Sequence, residues 1–292
     1  MRRTRGDVVF DAVNTTLVSV FFLLILYPLY FIIIASISNP DYVNIGAITF
    51  WPRGFTLEGY QRTLREVSVW RGYRNTILYT VLGTSLNVSL TMTAGYALSR
   101  KELVGRAVIM RLIVFTMLFS GGLIPTYLIV KGLGMTNTIW AMVIPNAVSA
   151  WNLVIARTYF QQSIPQELLE ASLVDGCSYA RFFWEVAVPL SGAIIAVLAL
   201  LYSVAHWNSF FTGLIYLQDY SKYPLQLILR DILLGYQTAG AADDAKTVQE
   251  MQRIADLMKY ALIIVASLPV MILYPFLQRY FVKGVMVGAI KG

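Results

Sequence analysis

Residues 17–37 read LVSVFFLLILYPLYFIIIASI, an unbroken stretch with no Asp, Glu, Lys or Arg. A helix rises about 1.5 Å per residue, so this run covers the roughly 30 Å hydrocarbon core of a bilayer. Lipid offers no partner for a peptide group, so a lone span of this length must be helical. Arg2, Arg3 and Arg5 precede the run, as they would in a signal peptide. It is too long for a signal h-region, however, and no small-x-small cleavage site ends it. It is therefore read as a retained first span, Val13–Ile37, with Pro28 as a kink.

The rest of the chain follows the same pattern. Of 292 residues, 57% are hydrophobic and 13% charged, with a mean hydropathy of +0.63. Soluble domains carry about 25% charged residues. Five more spans are expected: Tyr73–Leu98, Ala107–Val130, Thr138–Tyr159, Leu190–Tyr216 and Lys259–Phe281. Pro, Gly, Ser and Thr recur inside them, as in bundles whose neighbouring helices satisfy interrupted backbone. The expected fold is an all-α integral membrane protein of about six transmembrane helices, a single domain over 1–292. The connections 39–72, long and mixed, and 218–258, long and polar, are expected to be external loops, and part of the second is expected to be mobile. The segment 160–189 is amphipathic and carries the acids.

One cysteine, Cys177, excludes an internal disulfide and a cysteine metal cluster. One histidine, His206, argues against a His-rich metal site and a Ser-His-Asp triad. No H-E-x-x-H, G-x-S-x-G or G-x-x-x-x-G-K-[ST] occurs, so no catalytic residue, metal or bound cofactor is expected. The net charge of +7 is read as Lys and Arg flanking spans, not as a nucleic-acid surface. The basic N-terminus, the Ser99–Arg106 loop and the C-terminal tail place both ends in the cytoplasm. The total of basic residues is nearly even between the two sides and does not decide.

The sharpest pattern is Glu170-Ala171-Ser172-Leu173-Val174-Asp175-Gly176-Cys177, followed by Phe182 and by Val186-Ala187-Val188-Pro189-Leu190. Pro165 suits a helix start. Glu167 and Glu170 share a face at i and i+3. Gly176 can end the helix in a left-handed turn. A second amphipathic helix follows with Tyr179, Phe182, Phe183 and Val186 on one side. Pro189 marks the entry to the fifth span. The outcome is a helix–turn–helix knob on the membrane surface. Its acids suit a groove in another protein better than anionic lipid.

This segment resembles the EAA loop of binding-protein-dependent ABC importer permeases. Ser172 replaces the family's second Ala, Val188 its Leu, and Cys177 a common Ala. Tyr96-Ala97-Leu98-Ser99-Arg100 with Gly105 is similar to the loop after the family's second span. Ser120–Tyr127 and Leu133–Thr138 are similar to its next hairpin. Trp207-Asn208-Ser209-Phe210-Phe211 is similar to its W-N-x-F pattern, with Ser209 where an acid is frequent. Lys283-Gly284 and Gly288–Gly292 are similar to its tail. These segments point to the sugar-importing, maltose second-permease-like and polysaccharide/lipoprotein-type branch, and they run along almost the whole chain.

The resemblance implies the type I ABC importer permease fold and a location in the bacterial cytoplasmic (inner) membrane. It implies a second homologous permease, two cytoplasmic ATPases that bind ATP and Mg²⁺, an external solute-binding protein and surrounding lipid. It implies that 160–189 is the coupling loop, with Glu170, Ala171, Ser172, Asp175, Gly176, Pro189, Gly288 and Lys291 coupling to the ATPase. It implies transport of oligosaccharides, including acidic fragments such as alginate or other uronates, by alternating access. Candidate pathway residues are Asn87, Tyr96, Asn152, Trp207 and Asn208, with Thr91, Asn146 and His206 as further polar groups inside spans. Each is weighed against plain interhelical hydrogen bonding or packing. The alternatives are an ion-coupled secondary transporter, which needs the intramembrane carboxylates these spans lack, and a non-sugar ABC permease.

Overall fold

The computed structural model describes residues 5–239 and 245–289, and those residues form helices and connections with no strand. The first helices are α1 (Arg5–Ser36), α2 (Pro40–Asn44), α3 (Glu58–Arg65) and α4 (Val67–Ser99). Then follow α5 (Arg106–Leu118), α6 (Leu123–Gly132), α7 (Ile139–Val143) and α8 (Ala150–Ser163). The expected knob is built from α9 (Gln166–Val174), α10 (Tyr179–Phe182), a π-helical turn (Phe183–Ala187) and α11 (Val188–Leu190). The chain ends with α12 (Gly192–Trp207), α13 (Phe210–Tyr216), α14 (Leu225–Ala239) and α15 (Ala245–Ala289).

Among the described residues, three helical stretches are long and apolar enough to cross a membrane: Gly6–Ser36, Val67–Ser99 and Glu250–Ile272. Two further pairs qualify only if each is one bent span. These are α5 with α6, bent by 116°, and Tyr179–Leu190 with α12, bent by 80°. The third expected span is thus broken around Gly121 and Gly122. The fourth, expected over Thr138–Tyr159, is not one helix either. It stops at Val143 and restarts at Ala150. Pro145 sits in that gap, where it lacks an N–H and its ring would clash with a preceding carbonyl. The stretches expected as external connections carry helices of their own, namely α2 and α3 in 39–72, and α14 and the start of α15 in 218–258.

The chain divides into two compact units, Met1–Val69 with Leu229–Leu268, and Trp70–Ile228 with Pro269–Gly292. In the first unit, α3 lies directly on α15. A Cβ on Gly59 would come 2.3 Å from the Leu257 carbonyl oxygen. The Ser36 and Tyr60 hydroxyls are 2.7 Å apart, and the Asn44 amide donates to Asp256 at 2.7 Å. Phe31 and Tyr260 meet edge to face at 6.1 Å.

The second unit is organised by one face of α4. Gly72, Thr76, Tyr79, Gly83, Asn87, Thr91, Gly95 and Ser99 recur every three or four residues, which sets them on one stripe. All are buried. Small residues on such a stripe let a neighbouring helix approach, and hydroxyls or amides give it something to bond. Thr76 accepts the Leu225 N–H at 2.8 Å, and the Tyr79 hydroxyl donates to the Lys222 carbonyl at 2.7 Å. Gly83 faces the His206 ring, and Gly95 faces Ala156 with only 2.8 Å left for a Cβ. Asn137, at φ 57°, ties the connection before α7 to the end of α13. Its N–H donates to the Tyr216 carbonyl at 2.8 Å, and its side-chain oxygen accepts from the Gln218 and Asp219 amides.

Gly83→Ala drives a methyl to within 2.3 Å of His206 Nε2 and is expected to cost about 1–3 kcal/mol. Ser89→Ala, on the exposed face of the same helix, is expected to be near neutral. Thermal unfolding in detergent separates the two.

Candidate functional site

Two features of the second unit stand out, an exposed hairpin and a polar pocket. The hairpin begins at α9, where Pro165 holds the N-cap at φ −57°. Its far end closes as a Schellman turn. The Cys177 N–H donates to the Ser172 carbonyl at 2.9 Å and the Gly176 N–H to Leu173 at 3.1 Å. Gly176 takes φ +79°, which an L side chain adopts at a cost of about 1–2 kcal/mol. Ser178 then caps α10 by accepting the Arg181 N–H at 3.3 Å. Arg181 bonds Glu185 at 2.9 Å, an exposed i,i+4 pair of small energetic weight.

One side of this hairpin is sealed into the unit's core. Leu169, Phe182, Phe183 and Ala187 are buried with Met92 and Tyr96 of α4, Ala156 and Phe160 of α8, and Ile194 and Leu198 of α12. The Tyr96 ring is the hub. It lies 4.9 Å from Phe183, 5.5 Å from Phe160 and 6.4 Å from Phe182, centre to centre. The Arg100 guanidinium covers the same ring at 4.8 Å, only 6% exposed, and bonds the Ser99 hydroxyl and the Phe160 carbonyl. Such a cation–π contact is worth about 2 kcal/mol or more when desolvated.

The other side of the hairpin faces out. Glu167, Glu170, Ala171, Asp175, Gly176 and Pro189 are exposed, Ser172 is half-buried, and Val174 is 87% exposed at the tip. The Ser172 hydroxyl bonds back to Leu168 at 2.8 Å. A bare valine flanked by acids thus stands on a tight, hydrogen-bonded turn. Gln166 reaches across to Glu102 at 2.7 Å. A hydrogen bond from its own backbone N–H, then the Gln166 amide and the Arg100 and Arg106 charges, hold the exposed Glu102 carboxyl below the usual range against a smaller desolvation cost. The stabilisation that this lowering reflects is present at neutral pH and is lost as pH falls through the depressed value. Gly288 lies within α15, and Lys291 lies outside the described residues.

The pocket, about 300 Å³, is lined by Asn87, Met142, Asn146, Ser149, Asn152, Leu201, Tyr202, Ala205, His206, Ser209 and Thr212. It forms where the chain breaks between α7 and α8. The Tyr202 hydroxyl accepts the Ser149 N–H at 3.1 Å and lies 2.7 Å from the Thr91 hydroxyl. The Asn87 amide donates to the Asn146 carbonyl at 3.3 Å and to His206 Nε2 at 3.2 Å. The structure thus brings Asn87 and Asn152 together, with Asn146 and His206. It places the other pathway candidates elsewhere. Tyr96 is the hub of the hairpin core. Trp207 borders an apolar groove with Ile77, Val81 and Pro269 and packs on Tyr73. Asn208 is exposed and donates to the Val204 carbonyl at 2.9 Å, capping the break after α12.

Sequence reading did not single out Ser149, Tyr202 or Thr212, and it weighed Ser209 only as a departure from the W-N-x-F pattern. A usable signal was present. Tyr202, His206 and Ser209 recur at i, i+4 and i+7, a polar stripe on an otherwise apolar span.

The family described as "Binding-protein-dependent transport system inner membrane component" matches residues 1–287, and the chain belongs to it. It is 38% identical to Protein LplC of Bacillus subtilis (strain 168) over 293 residues, 100% of this chain and 98% of that protein. It is 35% identical over 283 residues to the polygalacturonan/rhamnogalacturonan transport system permease protein YtcP of the same organism, covering 97% of this chain and 98% of that one. A chain in the crystal structure of a bacterial ABC transporter involved in the import of the acidic polysaccharide alginate aligns with a TM-score of 0.84 and 30% identity. The alignment covers 96% of this chain and 99% of that one. The protein is therefore an inner-membrane permease subunit of an ABC-type, binding-protein-dependent importer. The ion-coupled alternative is not favoured.

Tyr96→Ala is expected to loosen the hairpin core by about 3–5 kcal/mol, as large aromatic truncations do. Tyr96→Phe is expected to be neutral or slightly stabilising, because the buried hydroxyl has no partner among the described residues. Limited proteolysis of the hairpin in detergent, followed with temperature, distinguishes them.

Proposed function

We propose that this chain is one of two permease halves of an ATP-driven oligosaccharide importer, with acidic polysaccharide fragments as its leading substrate class. On this reading two cytoplasmic ATPases bind ATP and Mg²⁺, and this chain binds neither. An external binding protein delivers the sugar, and both termini of this chain are cytoplasmic. The hairpin Gln166–Leu190 is the coupling element that sits in an ATPase groove. Val174 is its apolar contact, and Glu170 and Asp175 meet basic groups of the groove. Ala171, Ser172 and Gly176 keep the tip thin and rigid, and Pro189 starts the turn into α12. Gly288 and Lys291 belong to a tail that reaches the same ATPase.

The observation that carries this reading is the Tyr96 hub. A force on the exposed tip is delivered through rigid aromatic packing to α4, α8 and α12 at once, because close-packed cores transmit displacement instead of absorbing it. The substrate class is supported by the likeness to the rhamnogalacturonan-type permease and to the alginate importer chain.

The test is reconstitution of the chain with its partner permease, ATPase and binding protein in proteoliposomes. Val174→Asp and Gly176→Val are expected to lower sugar-stimulated ATP hydrolysis and uptake at least tenfold while the two permeases remain associated. Wild-type rates in both variants would remove the coupling role. Uptake of no oligosaccharide by the wild-type complex would remove the substrate class.

A further inference from the structure

We propose that the loop 46–55, which follows α1, seats the headgroup of a membrane phospholipid, with Arg53 on its phosphate and Phe50 and Trp51 among the glycerol esters. This requires only that α1 spans the membrane, and it does not depend on the sugar reading above. Two backbone bonds pin the base of the loop at the helix end. The Asn39 N–H donates to the Arg53 carbonyl at 3.0 Å and the Thr56 N–H to the Ile37 carbonyl at 3.0 Å. Two tyrosines of α1 pin its tip further back along the span. The Tyr27 hydroxyl donates to the Thr49 carbonyl at 3.4 Å, and the Tyr30 hydroxyl donates to the Phe50 carbonyl. Tyr27 and Phe50 also meet edge to face at 5.9 Å. Tyr30 lies about 9 Å along the axis from Ser36. Helical side chains lean toward the N-terminus, away from that end. The loop therefore folds back along the outside of α1, and its tip lies roughly 10 Å inside the level of its base. Because α1 crosses the membrane, the tip sits at the depth of headgroups and esters and not in open solvent.

The chemistry of the loop fits that depth. Trp and Tyr concentrate where headgroups meet acyl chains. Trp51 is 79% exposed and Phe50 60%. With Tyr30, Ala47, Thr49 and Arg53 they line an open groove of about 490 Å³, and no Asp or Glu lines it. Among the described residues the Arg53 guanidinium has no hydrogen-bond or ion-pair partner. The Phe50 and Trp51 N–H groups find no acceptor there either. Pro52, next in the chain, has no N–H to satisfy. The tyrosines thus meet the carbonyls of the tip, and what is left unmet is a set of donors and one positive charge. A phospholipid supplies the complement, namely ester acceptors and a negative phosphate. A guanidinium matches phosphate with two parallel charge-assisted hydrogen bonds. Continuity with the span favours lipid over a docked protein. Leu23, Leu26 and Ile33 share the Tyr30 side of α1 and are exposed, so acyl chains run along the helix directly below the groove.

The test uses the full transporter in vesicles of phosphatidylethanolamine with a minority of phosphatidylglycerol. Trp51 is read as the difference in tryptophan emission between wild type and Trp51→Phe. Phosphatidylglycerol brominated beside its esters is expected to quench that difference about twofold more than the same lipid brominated near its chain ends. Native mass spectrometry then follows the phosphatidylglycerol that the complex retains. Arg53→Gln is expected to weaken retention about fivefold, the contribution of one cation near a lipid surface, and Arg53→Lys to keep most of it. Arg53 is exposed, so both variants are expected to assemble, and thermal unfolding of the complex checks this. Trp51 emission that neither brominated lipid quenches, or that the binding protein shields from both, would overturn the lipid seat and make the loop a protein contact. Equal retention by wild type and Arg53→Gln would overturn the phosphate contact. Neither measurement uses sugar or ATP, so either failure leaves the importer reading standing.

Discussion

A peptide group inside a bilayer has no water to bond, and the second unit is arranged around that constraint. Unbroken helices meet it by themselves, as α1 and α4 do. A broken span does not. Where Pro145 splits the chain between α7 and α8, the freed groups are met by side chains from other helices. Tyr202 of α12 accepts the Ser149 amide, and Asn87 of α4 donates to the Asn146 carbonyl. The polar residues that rescue the backbone must gather at the break. Their gathering leaves a polar pocket in an apolar bundle.

The same helix, α4, links this pocket to the hairpin. Its contact stripe runs from Gly72 through Gly83 and Asn87 to Gly95, and Tyr96 lies next to its lower end. Gly83 admits the His206 ring and Gly95 admits Ala156, so α12 and α8 both lie close against it. A displacement of the hairpin core at Tyr96 therefore moves the helix that carries Asn87. Pocket and hairpin share α4, α8 and α12. Hairpin and pocket are thus joined by packed helices, without any flexible link between them.

Much of this was legible in the residues. The run at 17–37 and the low charge content require membrane helices whatever the tertiary structure. The Gly176 turn was readable because a glycine behind an acidic amphipathic run serves one geometric purpose there, and the Schellman bonds match it. The helix break at Pro145 was less legible, because a proline inside a span can kink it or end it. The role of Tyr96 was illegible. An aromatic next to a basic loop suits a sugar pathway as well as a hairpin core, and only packing against Phe160, Phe182 and Phe183 assigns it to the core.

Local rules of chain stiffness, backbone satisfaction and apolar length are set by neighbours in sequence. The sequence by itself therefore determined the helical membrane class, the acidic helix–turn–helix hairpin and the absence of a phosphate loop. The grouping of Asn87, Asn152, His206 and Ser209 depends on the register between α4, α8 and α12, and that register follows from small residues on opposing faces. Only the tertiary structure could decide it, because the residues that meet there come from three distant helices, with Asn87 and His206 119 positions apart along the chain.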